Sequence, residues 1–353
     1  MEIRVLIGAL LACTVAGLPV KEQVVPDDIF TSLDYELFQD KVMYVYDDNE
    51  NLVKLTLDDA GNDEDGDDGD IASRVLFYLY NKDNVNDPKQ LYVNDEAALK
   101  NSNFDPAKPT RFITHGWTNS RKSAACTLVR DAYLGHKDYN VIVIDWRSIS
   151  RRPYVWASKR VPLIGQFVAT MINFLVKHGM DLSHTVLVGH SLGAHIVGIA
   201  ARNADSDISY VVGLDPALPG FSRAGPGSRI SVGDAKYVEI IHTNGGRLGF
   251  LTAIGDVDYY PNGGKRQPGC RVDPAGACSH DLAFKYFAES INSEVGFYGK
   301  RCTSFHRFIT GLCKNSHTSI MGGHKPLFSA HDTYYLNTNP SSPFARGPLA
   351  MRR

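Results

Sequence analysis

Thr185-Val-Leu-Val-Gly-His-Ser-Leu-Gly-Ala-His195 is the stretch whose reading decides the fold. Three of the four residues from Thr185 to Val188 are β-branched, which predicts a buried strand. Gly189-His190-Ser191-Leu192-Gly193 is a G-x-S-x-G turn, and Ala194 to Arg202 is apolar and free of Pro, as a buried helix should be. Strand, tight turn and helix in that order form a nucleophile elbow, which lifts a strained serine above the end of a parallel sheet. Packing the strand closely on the helix leaves no room for a Cβ on either side of the serine, hence the two glycines. Ser191 is the expected nucleophile.

Outward from the elbow, the pattern alternates. Arg74 to Tyr80 and Arg111 to Thr114 read as strands, Cys126 to Tyr133 as a helix, and Val141 to Trp146 as an almost wholly apolar strand. An apolar strand of that kind is expected where helices cover both faces of a sheet. Val161 to His178 has helical apolar spacing through Ile164, Val168, Met171, Ile172 and Leu175. Tyr210 to Leu214 and Lys236 to His242 read as further strands, and Asp281 to Ile291 as a helix. This alternation predicts one α/β domain with a mostly parallel central sheet flanked by helices.

In such a fold the acid and the histidine follow the nucleophile in the chain. Asp215 ends the strand after the elbow helix and is the expected acid. Asp145 precedes the serine and reads as a structural carboxylate beside Trp146; Asp256 and Asp258 fall in a turn-rich region and read as solvated. Candidate bases are His242, His280, His306, His317, His324 and His331. Position alone leaves that choice open. His242 ends a strand and reads as a packed residue, whereas His280 sits in a loop beside Cys278, just ahead of a helix. The oxyanion hole needs the N–H of the residue after the nucleophile, Leu192, and one from an earlier strand-end loop, where His115-Gly116-Trp117 offers the Trp117 amide. His115 itself reads as structural.

The N-terminal part has another character. Residues 1–17 carry Arg4, an apolar run and small residues before a possible cut, the layout of a secretory signal peptide. That run is too short to span a bilayer, and no later segment qualifies, so a secreted protein without a transmembrane segment is expected. Asp58 to Asp70 holds eight acidic residues in thirteen and no aromatic. A segment of that composition cannot offset its chain entropy by burial, so residues 18–70 read as a disordered acidic leader or propeptide. Residues 1–70 hold 4 of the 37 basic and 18 of the 39 acidic residues, which leaves 33 against 21 from residue 71 onward, a formal +12. An acidic leader thus precedes a basic domain. There is no metal-spaced His/Cys cluster, no phosphate loop and no nucleic-acid module, so neither a cofactor nor a nucleic-acid partner is expected.

Seven ordered motifs carry a family resemblance: Phe112-Ile-Thr-His-Gly-Trp117, Val188-Gly-His-Ser-Leu-Gly-Ala-His195, Gly213-Leu-Asp-Pro-Ala217, Asp234-Ala-Lys-Tyr237, Tyr260-Pro-Asn-Gly-Gly264, Cys278-Ser-His280 and Tyr286-Phe-Ala-Glu-Ser-Ile291. Together they resemble the pancreatic lipase family of α/β-hydrolases, most of all its insect neutral lipase and phospholipase A1 members. The likeness spans 71–345 and leaves 346–353 as a tail. It implies Ser191, Asp215 and His280 as a triad, Trp117 and Leu192 as oxyanion donors, and lipid aggregates at a lipid–water interface as partners. Short loops and the resemblance favour disulfides Cys270–Cys278 and Cys302–Cys313, which leaves Cys126 as a buried unpaired thiol or as a crosslink between two copies.

The departures narrow the expectation. Only seven residues without Leu, Ile or an aromatic lie between Cys270 and Cys278, where the pancreatic enzymes carry a long lid. The loop from His242 to Asp258 is also short, and both features resemble the phospholipase A1 members. The chain ends at Arg353, so the C-terminal β-sandwich that docks colipase is not expected. Pro226 and Ser231 stand where that family's calcium loop has carboxylates, leaving Asp234 alone, so no metal is expected. The expected activity is cleavage of the sn-1 acyl ester of phospholipids. A neutral triacylglycerol or galactolipid lipase is the alternative, and a catalytically silent lipid-binding or yolk-like storage protein the alternative of another class.

Overall fold

The computed structural model describes residues 43–56, 70–270, 273 and 276–348. Its strands are β1 (Met43–Tyr46), β2 (Leu52–Leu55), β3 (Leu76–Tyr80), β4 (Lys89–Leu91), β5 (Thr110–Thr114), β6 (Asn140–Asp145), β7 (Val186–His190), β8 (Tyr210–Leu214), β9 (Val238–Ile241), β10 (Val257–Pro261), β11 (Tyr298–Arg301), β12 (Thr318–Ile320) and β13 (Asp332–Leu336). The long helices are α1 (Ala124–His136), α2 (Val161–Lys177), α3 (Leu192–Asn203) and α4 (Ala277–Asn292).

Among the described residues, eleven strands form one sheet in the order β12-β11-β13-β10-β9-β8-β7-β5-β6-β3-β4. From β13 to β6 every pairing is parallel, and the antiparallel strands lie at the two edges. Each parallel strand therefore needs a crossover, and helices cover both faces, as the apolar runs in β6, β7 and β8 require. Successive side chains along a strand go to opposite faces. Phe112, Leu187 and Val211 thus join one core with Ile164, Val168 and Ile172 of α2 and Ile196 and Ile199 of α3. Ile113, Val188 and Val212 join the other core with Val129 and Tyr133 of α1 and Phe284 and Phe287 of α4. Cys126 is free and buried in α1, where burial pushes its thiol far up and keeps it inert.

Three expectations need correction. Order begins before Ile71: β1 and β2 pair antiparallel from Met43↔Leu55 to Tyr46↔Leu52, with Met43, Val45 and Leu55 buried in the first core. Averaging composition over the acidic leader hid two four-residue strands whose inward side chains are apolar. Residues 18–42 and 57–69, the expected signal peptide of 1–17 and residues 349–353 of the tail lie outside the described residues. Secondly, Ile71–Arg74 is a helical turn capped by the Asp70 side chain, so the strand starts at Leu76, not Arg74. Lastly, the turn-rich segment around Asp256 and Asp258 contains β10, and Asp258 is buried there.

Candidate active site

Seven parallel strands end on one side, and the turns that leave β5, β7, β8 and β9 there bring the predicted residues together. β7 ends at His190, and the chain reverses into α3 at Ser191, whose φ of +58° and ψ of −122° are sparsely populated for a residue with a Cβ. Holding it so costs about 1–3 kcal/mol. The surroundings enforce it. The Ser191 N–H donates to the Leu214 carbonyl, 3.0 Å away, and the Ala217 N–H donates to the Ser191 carbonyl at 3.3 Å. The two elbow glycines are sterically required, since a Cβ on Gly189 would sit 2.1 Å from the Gly193 oxygen and one on Gly193 would sit 2.5 Å from the His115 oxygen.

Asp215 follows β8 directly, also at positive φ (44°), and is fully buried. Its Oδ2 lies 2.6 Å from His280 Nδ1, while Oδ1 accepts the N–H groups of Thr243 (2.8 Å) and Asn244 (3.0 Å). Those donors fix its plane. A carboxylate facing Nδ1 takes that nitrogen's proton as a donor, which leaves the lone pair on Nε2. His280 is not in a loop, as its sequence position suggests. It lies in the first turn of α4, which starts at Ala277 after Gly276 in the left-handed region, and its N–H donates to the Gly276 carbonyl. The Cys270–Cys278 bridge ties that turn down, and Asp273 accepts the N–H groups of Cys278 and Ser279. The predicted Cys302–Cys313 bridge is also present.

The loop after β5 comes up against the elbow. A Cβ on Gly116 would meet the Ser191 Cβ at 2.8 Å and its Oγ at 3.3 Å. Trp117 follows, its indole N–H donating to the Arg152 carbonyl at 2.7 Å. Leu192 is the first residue of α3, where helical N–H groups have no acceptor of their own. Among the described residues no main-chain acceptor takes the N–H of Trp117 or Leu192. His115 is buried and structural: its Nδ1 faces the Gly116 carbonyl and its Nε2 the Trp146 N–H, while Asp145 lies in the same packed cluster.

Several residues at the site had no signal in the sequence. Thr243 and Asn244 act through backbone N–H groups, which any residue carries. His190, the variable residue of the G-x-S-x-G turn, points its Nε2 at the His280 carbonyl; burial, helped by His280, keeps it neutral. The least expected element is the β1–β2 hairpin. Tyr46 O accepts from Asn119 Nδ2 at 2.8 Å, and Asp48 accepts from Ser120 N (2.8 Å), Ser120 Oγ (2.5 Å) and Arg151 Nη2 (2.9 Å). The hairpin therefore clamps the residues just after Trp117, where Thr118 holds a φ of +65°.

A model of the lipase family matches residues 43–344, starting at the hairpin. Pancreatic triacylglycerol lipase of Sus scrofa is 33% identical over 308 residues, covering 78% of this chain and 68% of that protein. Pancreatic lipase-related protein 2 of Rattus norvegicus is 32% identical over 308 residues, covering 78% and 65%. The chain belongs to the pancreatic lipase family. It spans about two thirds of the length of these relatives. Among solved structures, a putative hydrolase of the alpha/beta superfamily from Xanthomonas campestris shares 13% identity and covers 52% of this chain and 97% of its own, at a TM-score of 0.32, too low to add to the sheet order above. As to metal, both oxygens of Asp234 are taken, by Arg202 Nε and the Ser231 N–H, and among the described residues no group of three or more His, Cys, Asp or Glu is arranged to hold an ion. The residues present do not fit a calcium site there.

Proposed function

We propose that the chain is a serine carboxylic-ester hydrolase acting on lipids, with Ser191 as nucleophile, His280 as base and Asp215 as its orienting acid. The observation that carries this reading is the 2.6 Å contact between His280 Nδ1 and Asp215 Oδ2, in a carboxylate already held by two N–H groups and beside a strained serine. Ser191 Oγ attacks the ester carbonyl as His280 Nε2 takes its proton. The amides of Trp117 and Leu192 receive the negative oxygen, each worth about 3–4 kcal/mol of transition-state stabilisation. His280 then protonates the leaving alcohol, and water repeats the cycle on the acyl-enzyme.

The substrate reading is sn-1 cleavage of phospholipids, of phospholipase A1 type. The short crosslinked segment from Cys270 to Cys278 supports it, because so few residues without a large apolar side chain cannot roof a hydrophobic cleft. The basic balance beyond residue 70 favours an anionic interface, where each Lys or Arg near the surface adds about 1 kcal/mol. The names of the triacylglycerol lipase relatives favour a second reading, hydrolysis of acylglycerols. Two disulfides and the signal-like N-terminus support secretion. Fatty-acid release by the purified protein from mixed phosphatidylcholine and trioleoylglycerol emulsions decides between the substrates. Preferential sn-1 release from phosphatidylcholine is expected, and faster release from trioleoylglycerol would replace it with the second reading. A Ser191 that fails to react with an active-site phosphonate would sink both.

A further inference from the structure

The main-chain carbonyl of His280 is a meeting point for the proposed nucleophile, acid and base. His190, the residue before Ser191, brings its Nε2 to 3.2 Å from that oxygen. Thr243, whose N–H holds Asp215 Oδ1, brings its Oγ1 to 3.4 Å from the same oxygen. Thr243 opens the turn after β9, in which the Gly249 backbone lies against the Asp215 carboxylate. A carbonyl can only accept, so the His190 nitrogen that faces it carries a proton. Nδ1 of the same ring is buried and has no hydrogen-bond partner among the described residues. Burial and the neighbouring His280 ring both oppose a charge on His190, which leaves the neutral Nε2–H tautomer. The ring itself is packed on two sides. Its centroid lies 4.5 Å from that of His280 and 5.1 Å from that of Phe284, which meets it at near right angles.

We propose that His190 is a positioning residue for His280, tying the base to the nucleophile's elbow through its Nε2–H. This rests on the reading of Ser191 and His280 as nucleophile and base. His190 is the last residue of β7 and pairs with Leu214 of β8, so its backbone is fixed by the centre of the sheet. His280 has no such anchor of its own. It sits in the first turn of α4, which follows Gly276 without a side-chain cap on that residue. The Cys270–Cys278 bridge and Asp273 hold this turn through its own chain segment, and His190 holds it from the elbow. The spacing between nucleophile and base is thereby set by one side chain that starts next to Ser191. A neutral ring suits the task. His280 becomes an imidazolium when it takes the serine proton, and a second charge stacked on it would oppose that step.

Two substitutions separate the tether from the packing. His190→Phe keeps a ring between His280 and Phe284 but has no donor. It is expected to lower kcat about ten- to a hundredfold with little change in KM, the scale of a small misplacement of catalytic geometry. His190→Gln loses the ring but places an amide N–H about where Nε2 stands, and is expected to recover most of that loss. A ring that matters only as filling would give the reverse order. Phenylalanine at the parental kcat, or glutamine no better than phenylalanine, overturns the proposal. A second measurement needs no variant to fold. Two-bond proton–nitrogen NMR on the full chain labelled with nitrogen-15 histidine is expected to show His190 at neutral pH with a proton on Nε2 and a bare Nδ1. A proton on Nδ1, alone or together with one on Nε2, overturns the proposal as well. That readout is silent on catalysis, so its failure is distinct from failure of the lipase reading, which the Ser191 phosphonate reaction reports.

Discussion

Two of the buried histidine–aspartate pairs at the sheet, His280–Asp215 and His242–Asp258, are built from the same side chains and differently engaged. In His280–Asp215 only Nδ1 is engaged by the carboxylate; in His242–Asp258 both ring nitrogens are spent, one on the carboxylate and one on a main-chain carbonyl. Among the described residues the first leaves His280 Nε2 without a hydrogen-bond partner, and it stands at the strand ends near a strained serine. The second is sealed under Tyr260, with no partner to react with. A histidine–aspartate contact by itself thus says nothing of reactivity. The unspent lone pair, and what lies within its reach, makes the difference.

The largest expected break falls on the pair proposed as reactive. Ser191→Ala removes the group on which the lone pair acts and should lower kcat on lipid esters by about a million-fold. Activity within a factor of ten of the parent would mean that His280 serves another nucleophile. Ser191→Gly should be equally inactive yet more stable by about 1 kcal/mol, because glycine adopts the φ of +58° without strain. Urea denaturation of the two variants separates the chemical role from the backbone cost. Next comes Gly249→Ala. Its Cβ would fall 2.4 Å from the Asp215 carboxyl carbon, so the acid or the turn must move. A loss of about a hundredfold in kcat is expected for such a displacement. Unchanged kinetics would show that Asp215 need not stay where the turn holds it.

The hairpin extends the comparison to the oxyanion side. Asp48→Ala frees Ser120 and Arg151, and with them the chain that follows Trp117. About a tenfold fall in kcat is expected, together with weaker binding of a phosphonate transition-state mimic, since donors lose effect when they are no longer aimed. A fall in thermal stability alone would reduce the hairpin to a structural part. This element also marks where the sequence stopped being legible. The elbow, the apolar strands and Asp215 announce themselves through local pattern, because a strand–turn–helix with two glycines has few other uses. The choice of His280 as the proposed base rested on the resemblance, since six candidates followed the acid and only the fold shows which one meets Asp215. Asp48, Asp258 and the amides of Thr243 and Asn244 carried no pattern at all. Their roles come from partners many positions away, and a composition average filed Asp48 with an acidic leader and Asp258 with solvated turns.

The smallest effect lies in the core beneath the sealed pair. Glu239, three residues before His242, has its carboxyl raised to about 7 by burial and, to a lesser degree, by the Asp258 charge, against the hydrogen bonds from Tyr210 and the Gly322 N–H. A folded-state value above the unfolded one means that the native protein holds this proton more tightly than the open chain. The stability it contributes is therefore complete below the unfolded glutamate range and declines as pH rises to about 7, after which the loss is constant. Glu239→Gln keeps an acceptor for the Gly322 N–H and removes the titration. The stability of the variant relative to the parent should thus rise between about pH 5 and pH 8 in urea unfolding. Other raised carboxyls, such as Asp234 and Asp281, titrate in both proteins and cancel in the difference. A difference that is the same at both pH values would mean that Glu239 is already ionised at the lower one.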